Sequence, residues 1–412
     1  MTISEFLHNA YTAYQAVDIA ATALETNGFV RLDERATWQL TRGGKYYVIR
    51  GGSSLIAFVY GDGDGCKLVA SHTDSPALKL KDKPVIAGDF SRLNVEVYGG
   101  ALLYSFLDRP LRLAGRIVRQ LPEGRLVSEN YVSRFTVAIP SLAIHMNREC
   151  NDKLALNPQL DMLPLLSLDN ADSVVPDDTV SFDLYAVPDS PPFLSGLRGE
   201  FLSASRIDNL SSVYASIRAL CGKTRGICVA ACLDAEEIGS RTRQGADSDF
   251  LQSVLARIAQ AADPGQDALY KFAASSLCVS LDNAHSVHPN HAEKSDPTNR
   301  AKLGGGIVIK GHAGGAYTTD AVTSAVMKTL FDRAGVRYQT FYNRSDMRSG
   351  STLGAVSLGH VGIRSVDLGL AQLAMHSAVE TIAAADLDEL DHGLSALYNS
   401  TLLFSDNDVQ II

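Results

Sequence analysis

The chain lacks several features that would assign it to whole classes of protein. It has no apolar run near the ~18 residues that span a bilayer, and its first residues, MTISEFLHNAYTAYQAVDIAATALE, show no basic segment followed by an apolar one. We therefore expect neither a membrane span nor a signal peptide. Positive charge is also in short supply, because 37 Lys and Arg stand against 46 Asp and Glu. The resulting net charge of −9 makes nucleic acid an unfavourable partner.

The chain has six cysteines but no CxxC pair, which argues against a zinc ribbon or a thioredoxin-type site. Several of them lie in apolar runs such as GICVAACLD, where a small buried side chain fits. Free thiols in a chain without a targeting segment are typical of a reducing compartment. We therefore expect a cytoplasmic protein.

The length of 412 residues predicts two domains rather than one core. From about residue 84 to 190 the sequence reads as many short strands, RLNVEVYGG, LRLAGRIVRQ, GRLVSENYV, FTVAIP and TVSFDLYAV, followed by the turn-rich DSPPFLSGLRG. We expect residues 85–188 to be a β-rich domain for dimerisation, or a lid. It would be inserted into a discontinuous catalytic domain of residues 1–84 and 189–412.

The catalytic part alternates strands and helices. Residues 3–27 predict a helix, the two apolar runs around Gly51-Gly52 predict a hairpin, and a long helical region is expected from about Ser377. GICVAACLD and LCVSLDNAH read as buried strands. This alternation indicates an α/β fold with a doubly wound, mixed sheet. In such sheets ligands bind at the carboxyl ends of the strands.

Acidic residues and histidines stand at these strand ends or at a helix start. They are His72 and Asp74 after KLVAS, Asp208 at a helix start, Glu236 and Glu237 after VAACLDA, Asp282 after LCVSL, and His376 after VDLGLAQLAM. Imidazole and carboxylate are both good zinc ligands. Two zinc ions ~3.5–4 Å apart share a bridging carboxylate and acidify a water molecule. The set therefore predicts a two-metal site.

Each of these features has a commoner structural explanation when it occurs alone. A Glu pair is usually a solvated surface, and an Asp at a helix start is usually a cap. Their joint occurrence favours the metal site. Asp74 could then orient the imidazole of His72. Adjacent side chains point in different directions, so one of Glu236 and Glu237 can bind metal while the other acts as general base.

The residues lie in stretches that resemble the aspartyl aminopeptidases, metallopeptidase family M18. The resemblance runs nearly end to end, from GGKYYVIRGGSSLIAF to AMHSAVET. Six motifs follow one another in order, and this makes the signal highly specific. They are ASHTDSPALKLK, IPSLAIHMNR, GEFLSASRIDNLSS, DAEEIGS, SLDNAHSVHPNHAEKSDP and AMHSAVE.

The resemblance implies roles for individual residues. It implies two Zn²⁺ ions per subunit, with Asp208 as the bridging ligand and Glu236 as the general base. Asp74 would orient His72. The full ligand set implied is His72, Asp208, Glu237, Asp282 and His376.

The resemblance also implies how substrate is bound and how subunits assemble. Lys310 matches a lysine that meets the acidic side chain of the substrate, and His285 matches a further histidine near the substrate. His145 matches a histidine that reaches into a neighbouring subunit's active site. The family builds dodecamers from dimers, so self-association through the inserted domain is expected.

The expected function is hydrolysis of N-terminal residues, with Asp or Glu preferred, from peptides. The segment after Lys310, GHAGGAYTTD, departs from the Asn-Gln-Arg-Tyr-like stretch usual in the family, so the sequence determines the reaction better than the substrate. Two alternatives stay open. One is a two-zinc deacylase that acts on acylated amino acids, and the other is a catalytically silent assembly protein with the same fold.

Overall fold

A computed structural model describes residues 1–169, 171, 173–347, 350, 352, 354, 360–405 and 408–412. No helix in these parts of the chain is long and apolar enough to span a membrane. The α-helices described are Ile3–Asn9, Ala13–Thr26, Pro158–Asp161, Ile207–Cys221, Phe250–Ala262, Ala268–Ala274, Ala321–Ala334 and Ala384–Asn399.

The largest sheet has nine strands and a mixed topology. Its three central strands, Ile227–Leu233, Cys66–His72 and Leu277–Leu281, are parallel and buried along their whole length. Two apolar clusters lie on its two faces, one around the helix Ile207–Cys221 and the other around Phe250–Ala262. The doubly wound mixed sheet is thus confirmed. In order across the sheet the strands are Val30–Arg31, Gly44–Arg50, Ser54–Tyr60, Ile227–Leu233, Cys66–His72, Leu277–Leu281, Arg364–Gly369, Ile307–Lys310 and Tyr338–Phe341.

A second sheet of six antiparallel strands has its own apolar cluster. It begins at Ala77, ahead of the boundary expected at residue 85, and ends at Pro188. The division of the chain into domains stays a prediction. The strands of this sheet, in spatial order, are Leu126–Val137, Leu111–Gln120, Thr179–Pro188, Ala77–Ile86, Ser91–Tyr98 and Leu165–Ser167.

Two smaller sheets and three short 3₁₀ helices complete the described structure. The five-stranded sheet consists of Phe193–Ser195, Phe201–Ala204, Glu380–Ala383, Ala371–Leu373 and Ala284–His285. The two-stranded sheet pairs Leu402–Phe404 with Val409–Ile411. The 3₁₀ helices are Leu103–Phe106, Glu236–Ile238 and Ala292–Lys294.

Three local predictions differ from the structure, and the hairpin around Gly51-Gly52 is confirmed. Residues 3–27 form two helices rather than one, because Thr12 is extended at φ −140° and ψ 176°. The two strands predicted for GRLVSENYV and FTVAIP are parts of one strand, 126–137. This strand is continuous although its pairing register has an irregularity. The C-terminal helix begins at Ala384 rather than near Ser377, because residues 380–383 pair with a neighbouring strand.

Candidate metal centre

Parallel strands bring the predicted ligands to one edge of the nine-stranded sheet. His72 is the last residue of one central strand, and Asp282 directly follows a second. Glu236 and Glu237 follow the third strand after two residues, in a short 3₁₀ helix. Because the three strands run in the same direction, their carboxyl ends meet at this edge.

Asp208 and His376 reach the same place from outside the sheet. Asp208 lies at the start of a helix but has non-helical torsions, φ −80° and ψ 110°, and His376 lies in a loop at φ 66°. The buried carboxylate of Glu380 accepts hydrogen bonds from the main chain of both Asp208 and His376. One of its oxygens accepts the Asp208 main-chain N–H at 2.9 Å, and the other accepts that of His376 at 2.6 Å. The sequence reasoning missed Glu380, although it lies in the AMHSAVE motif.

The side chains form two groups that share Asp208. In the first group, His72 Nε2 lies 3.5 Å from Asp208 Oδ1 and 3.7 Å from Asp282 Oδ1. In the second group, His376 Nε2 lies 3.2 Å from Glu237 Oε1 and 3.7 Å from Asp208 Oδ2. Asp208 therefore offers one carboxylate oxygen to each group.

The two groups fit zinc. Two ligand atoms that each lie about 2.1 Å from a tetrahedral zinc ion are separated by about 3.4 Å, close to the separations in both groups. Asp208 Oδ1 is buried and accepts no hydrogen bond from the described residues. Carboxylates buried this close together repel one another unless a cation neutralises them. The donor set and its geometry therefore suit a pair of bound cations.

Both histidines direct the same nitrogen into the centre. His72 Nδ1 lies 3.0 Å from the main-chain oxygen of Asp74, and His376 Nδ1 lies 3.1 Å from that of Gly100. A carbonyl oxygen can only accept, so Nδ1 carries the proton in each ring. In the neutral imidazole this leaves the Nε2 lone pair free for a metal.

Asp74 does more than contact His72. Its Oδ1 lies 3.4 Å from His72 Nδ1 and accepts the main-chain N–H of Glu236 at 3.1 Å. Its Oδ2 accepts the N–H of Glu237, also at 3.1 Å. One buried carboxylate thus fixes the turn that carries both glutamates.

Glu236 lines the cavity and belongs to neither of the two groups that share Asp208. Burial raises the pKa of its carboxyl to about 8, with the charge of His72 opposing the shift and that of Asp282 adding to it. A bound cation would favour the ionised form and lower this pKa.

A cavity of about 200 Å³ opens over the centre, and Lys310 and His285 line it with the ligands. The side chain of Lys310 is buried, with Nζ 3.9 Å from Asp282 Oδ2 and 3.4 Å from the Asn283 main-chain oxygen. Burial opposes its charge, but Asp282 and other nearby acids hold the pKa of Lys310 above its usual value. These acids therefore favour the charged form of Lys310.

Two predicted site residues, Asp74 and His145, do not line the cavity. Asp74 contacts His72, whereas His145 lies apart from the centre. His145 is exposed, in the segment between the strands Leu126–Val137 and Leu165–Ser167. Among the described residues of a single subunit, His145 is not one of those that line the cavity over the metal centre.

Comparison with known proteins identifies the family. The model of the aminopeptidase I zinc metalloprotease family, M18, matches residues 6–175 and 169–398. The chain belongs to family M18. The probable M18 family aminopeptidase 2 of Clostridium novyi (strain NT) is 39% identical over 410 residues, covering 93% of this chain and 94% of that protein. The M18 resemblance read from the motifs is confirmed, and the protein is a zinc metallo-aminopeptidase, a hydrolase.

Solved structures of M18 aminopeptidases have the same fold. A cryo-EM structure of the Ape4 and Nbr1 complex superposes with a TM-score of 0.91 at 30% identity, covering 96% of this chain and 84% of that one. The structure of the S. cerevisiae mApe1 dodecamer gives a TM-score of 0.82 at 26% identity, covering 96% of this chain and 97% of that one.

Proposed function

We propose that this M18 enzyme is a two-zinc aminopeptidase that removes acidic N-terminal residues from peptides, with Glu236 as general base. The observation that carries the proposal is the division of Asp208 between two ligand groups. His72 and Asp282 would complete one zinc site, and Glu237 and His376 the other. An imidazole and a carboxylate per ion, with one shared carboxylate, is a complete set of protein ligands for a catalytic pair that leaves room for water.

Zinc ions bound there would acidify a water molecule and polarise the peptide carbonyl. Residues of the chain would carry out the proton transfers. The Glu236 carboxylate accepts the proton of the attacking water and returns it to the departing peptide nitrogen. Asp74 holds the Glu236 main chain in place.

Lys310 is the proposed partner of the substrate's acidic side chain. Its Nζ lies 4.9 Å from the centroid of the Tyr317 ring, and the residue lines the cavity next to Asp282. A substrate carboxylate in the cavity would meet it in a poorly solvated place, where charge-assisted hydrogen bonds are strong. His285, on the exposed side of the cavity, would contact the same substrate.

Lys310→Met should therefore raise KM for an aspartyl amide by roughly 10- to 100-fold, the loss expected for a hydrogen bond between charged groups of about 1.5–3 kcal/mol. KM for a leucyl amide should change little. Steady-state kinetics on both substrates measures the difference, with Lys302→Met as control because Lys302 is exposed in the preceding turn. Equal losses on both substrates would instead make Lys310 a residue that holds Asp282.

A substrate panel tests the proposed specificity. The zinc-loaded enzyme should hydrolyse aspartyl and glutamyl amides faster than leucyl amides, and it should not hydrolyse N-acetylated aspartyl amides. Preferred cleavage of the acetylated substrates would point to the deacylase activity that the sequence left open. Preference for leucyl amides would contradict the acidic specificity.

The second sheet supports a proposal about assembly, which is that subunits associate through it into dimers and then a dodecamer. The segment that carries His145 exposes several large apolar side chains, which tend to be covered by a partner. One M18 neighbour of the same fold is described as a dodecamer. The exposed side chains are Leu142, Ile144, Met146, Leu154 and Leu160.

Light scattering should give the mass of a dodecamer rather than the 44.2 kDa of one chain. His145 would then lie at a neighbour's cavity, so His145→Ala should lower activity without changing the mass. His288→Ala, which also removes an exposed histidine, is the control. A fully active 44.2 kDa monomer would contradict both parts of the proposal, and full activity of a His145→Ala dodecamer would contradict only the shared site.

A further inference from the structure

The six-stranded sheet approaches the metal centre at the end of one of its strands. Its strand Ser91–Tyr98 ends beside the edge where the ligands meet, and Gly99 and Gly100 follow. All three residues 98–100 contact groups of the centre, although the ligands themselves belong to other parts of the chain.

Tyr98 contacts the centre through Asp74. Its phenol donates a hydrogen bond to Asp74 Oδ2 at 2.9 Å. The ring is held in place by Tyr185 of the same sheet, edge-on at 5.4 Å between centroids. Burial and the Asp74 carboxylate both raise the pKa of Tyr98, so the phenol keeps the proton that it donates. The Asp74 carboxylate in turn lies 3.4 Å from His72 Nδ1 and accepts the main-chain N–H groups of both glutamates.

The two glycines contact the other half of the centre. The carbonyl oxygen of Gly100 accepts from His376 Nδ1, and a Cβ atom at Gly100 would lie only 3.2 Å from that nitrogen. At Gly99, where φ is +70°, a Cβ atom would lie 3.1 Å from the Cβ of Glu237. The main chain can approach this closely because both residues lack a side chain.

We infer that the segment Tyr98-Gly99-Gly100 of the six-stranded sheet positions both imidazoles of the metal centre. Tyr98 orients His72 through Asp74, and Gly100 orients His376 directly. The inference rests on the metal site of the proposed function. It makes the second sheet part of the machinery for metal binding, in addition to any role in assembly.

Tyr98 is a positioning residue, since it touches neither metal nor substrate. Removing its hydroxyl leaves Asp74 with one donor fewer and with more freedom to turn away from His72 Nδ1. Partners of this kind typically contribute 10- to 100-fold to metal affinity or activity. We expect the loss to appear in metal binding, because the carboxylate that Tyr98 anchors also carries the turn of Glu237.

The test uses the full-length protein loaded with Co²⁺, whose visible absorption reports the ligand field. Tyr98→Phe should weaken Co²⁺ binding by roughly 10-fold or more and shift the absorption bands. Tyr131→Phe is the matched control, since it removes a phenol in the same sheet that donates to the main-chain oxygen of Val174 at 3.3 Å. It should bind Co²⁺ like the wild type. Zn²⁺ competition gives the affinities independently of the spectrum.

Gly100→Ala provides a second variant, because its methyl group presses on His376 rather than on Asp74. It should also weaken Co²⁺ binding, whereas Gly88→Ala should not, since the Cβ atom added there comes no closer than 3.7 Å to the Phe90 main-chain oxygen. Wild-type affinity and spectrum in Tyr98→Phe would overturn the inference, as would an equal change in Tyr131→Phe. A wild-type protein that binds neither Co²⁺ nor Zn²⁺ would overturn the proposed function itself, and the inference with it.

Discussion

Glu236→Gln should lower kcat of the zinc-loaded enzyme by about 10²–10⁴-fold, the usual contribution of a general base. The amide has nearly the same shape as the carboxylate but cannot accept the proton of the attacking water. The Asp74 carboxylate would still hold the main chain at residue 236, so Glu237 should stay in place. We therefore expect both metals to remain bound while turnover is lost.

Kinetics and metal content, measured on the same preparation, check this result. Glu123→Gln is the control because Glu123 is an exposed glutamate in a turn of the second sheet. It should match the wild type in both measurements. Near-normal turnover in Glu236→Gln would remove Glu236 from the role of base. Loss of metal together with activity would indicate that Glu236 is a metal ligand instead. This alternative is open because Glu236 forms a third possible ligand group with His72 and Glu237.

Asp208→Ala should disturb both metal sites at once, since each of its oxygens faces a different histidine. Residues that only orient a ligand already contribute 10- to 100-fold to metal affinity, so the loss of a shared ligand should exceed roughly 100-fold at both sites. Activity should fall with the metal content.

Asp282→Ala is the matched comparison, because Asp282 belongs to one group alone. It should weaken one site and leave the other near its normal affinity. Calorimetric titration with Zn²⁺ distinguishes one binding event from two. If Asp208→Ala retained one site of normal affinity, Asp208 would be an ordinary ligand rather than a bridge.

The sequence predicts the ligands that lie at the ends of buried strands. The buried runs that end at His72 and just before Asp282 are apolar enough to identify as strands of a parallel sheet. Parallel strands bring their ends to a common edge whatever the rest of the chain does. The mixed α/β fold followed from the same alternation of strands and helices.

The remaining contacts depend on how distant segments pack, and no local pattern specifies this. Glu380 binds the main chain of Asp208, 172 residues away, and Gly100 binds the ring of His376, 276 residues away. Tyr98 reads locally as one more residue of an alternating strand. Its contact with Asp74 follows from strand pairing, because Tyr98 lies opposite Ala77, three residues after Asp74.

Helix boundaries were misjudged for a related reason. Residues 377–383 run directly into the C-terminal helix, but residues 380–383 add a strand to a small sheet beside the metal centre. That pairing places the Glu380 carboxylate under Asp208. Pairing with a strand that is distant in sequence thus sets where this helix begins.

Anomalous diffraction at the zinc edge, from crystals of the wild-type enzyme, tests the central claim most directly. We predict two anomalous peaks about 3.5–4 Å apart, one on each side of the Asp208 carboxylate. One should lie next to His72 Nε2 and the other next to His376 Nε2. A single peak, or two peaks of which neither contacts Asp208, would contradict the account.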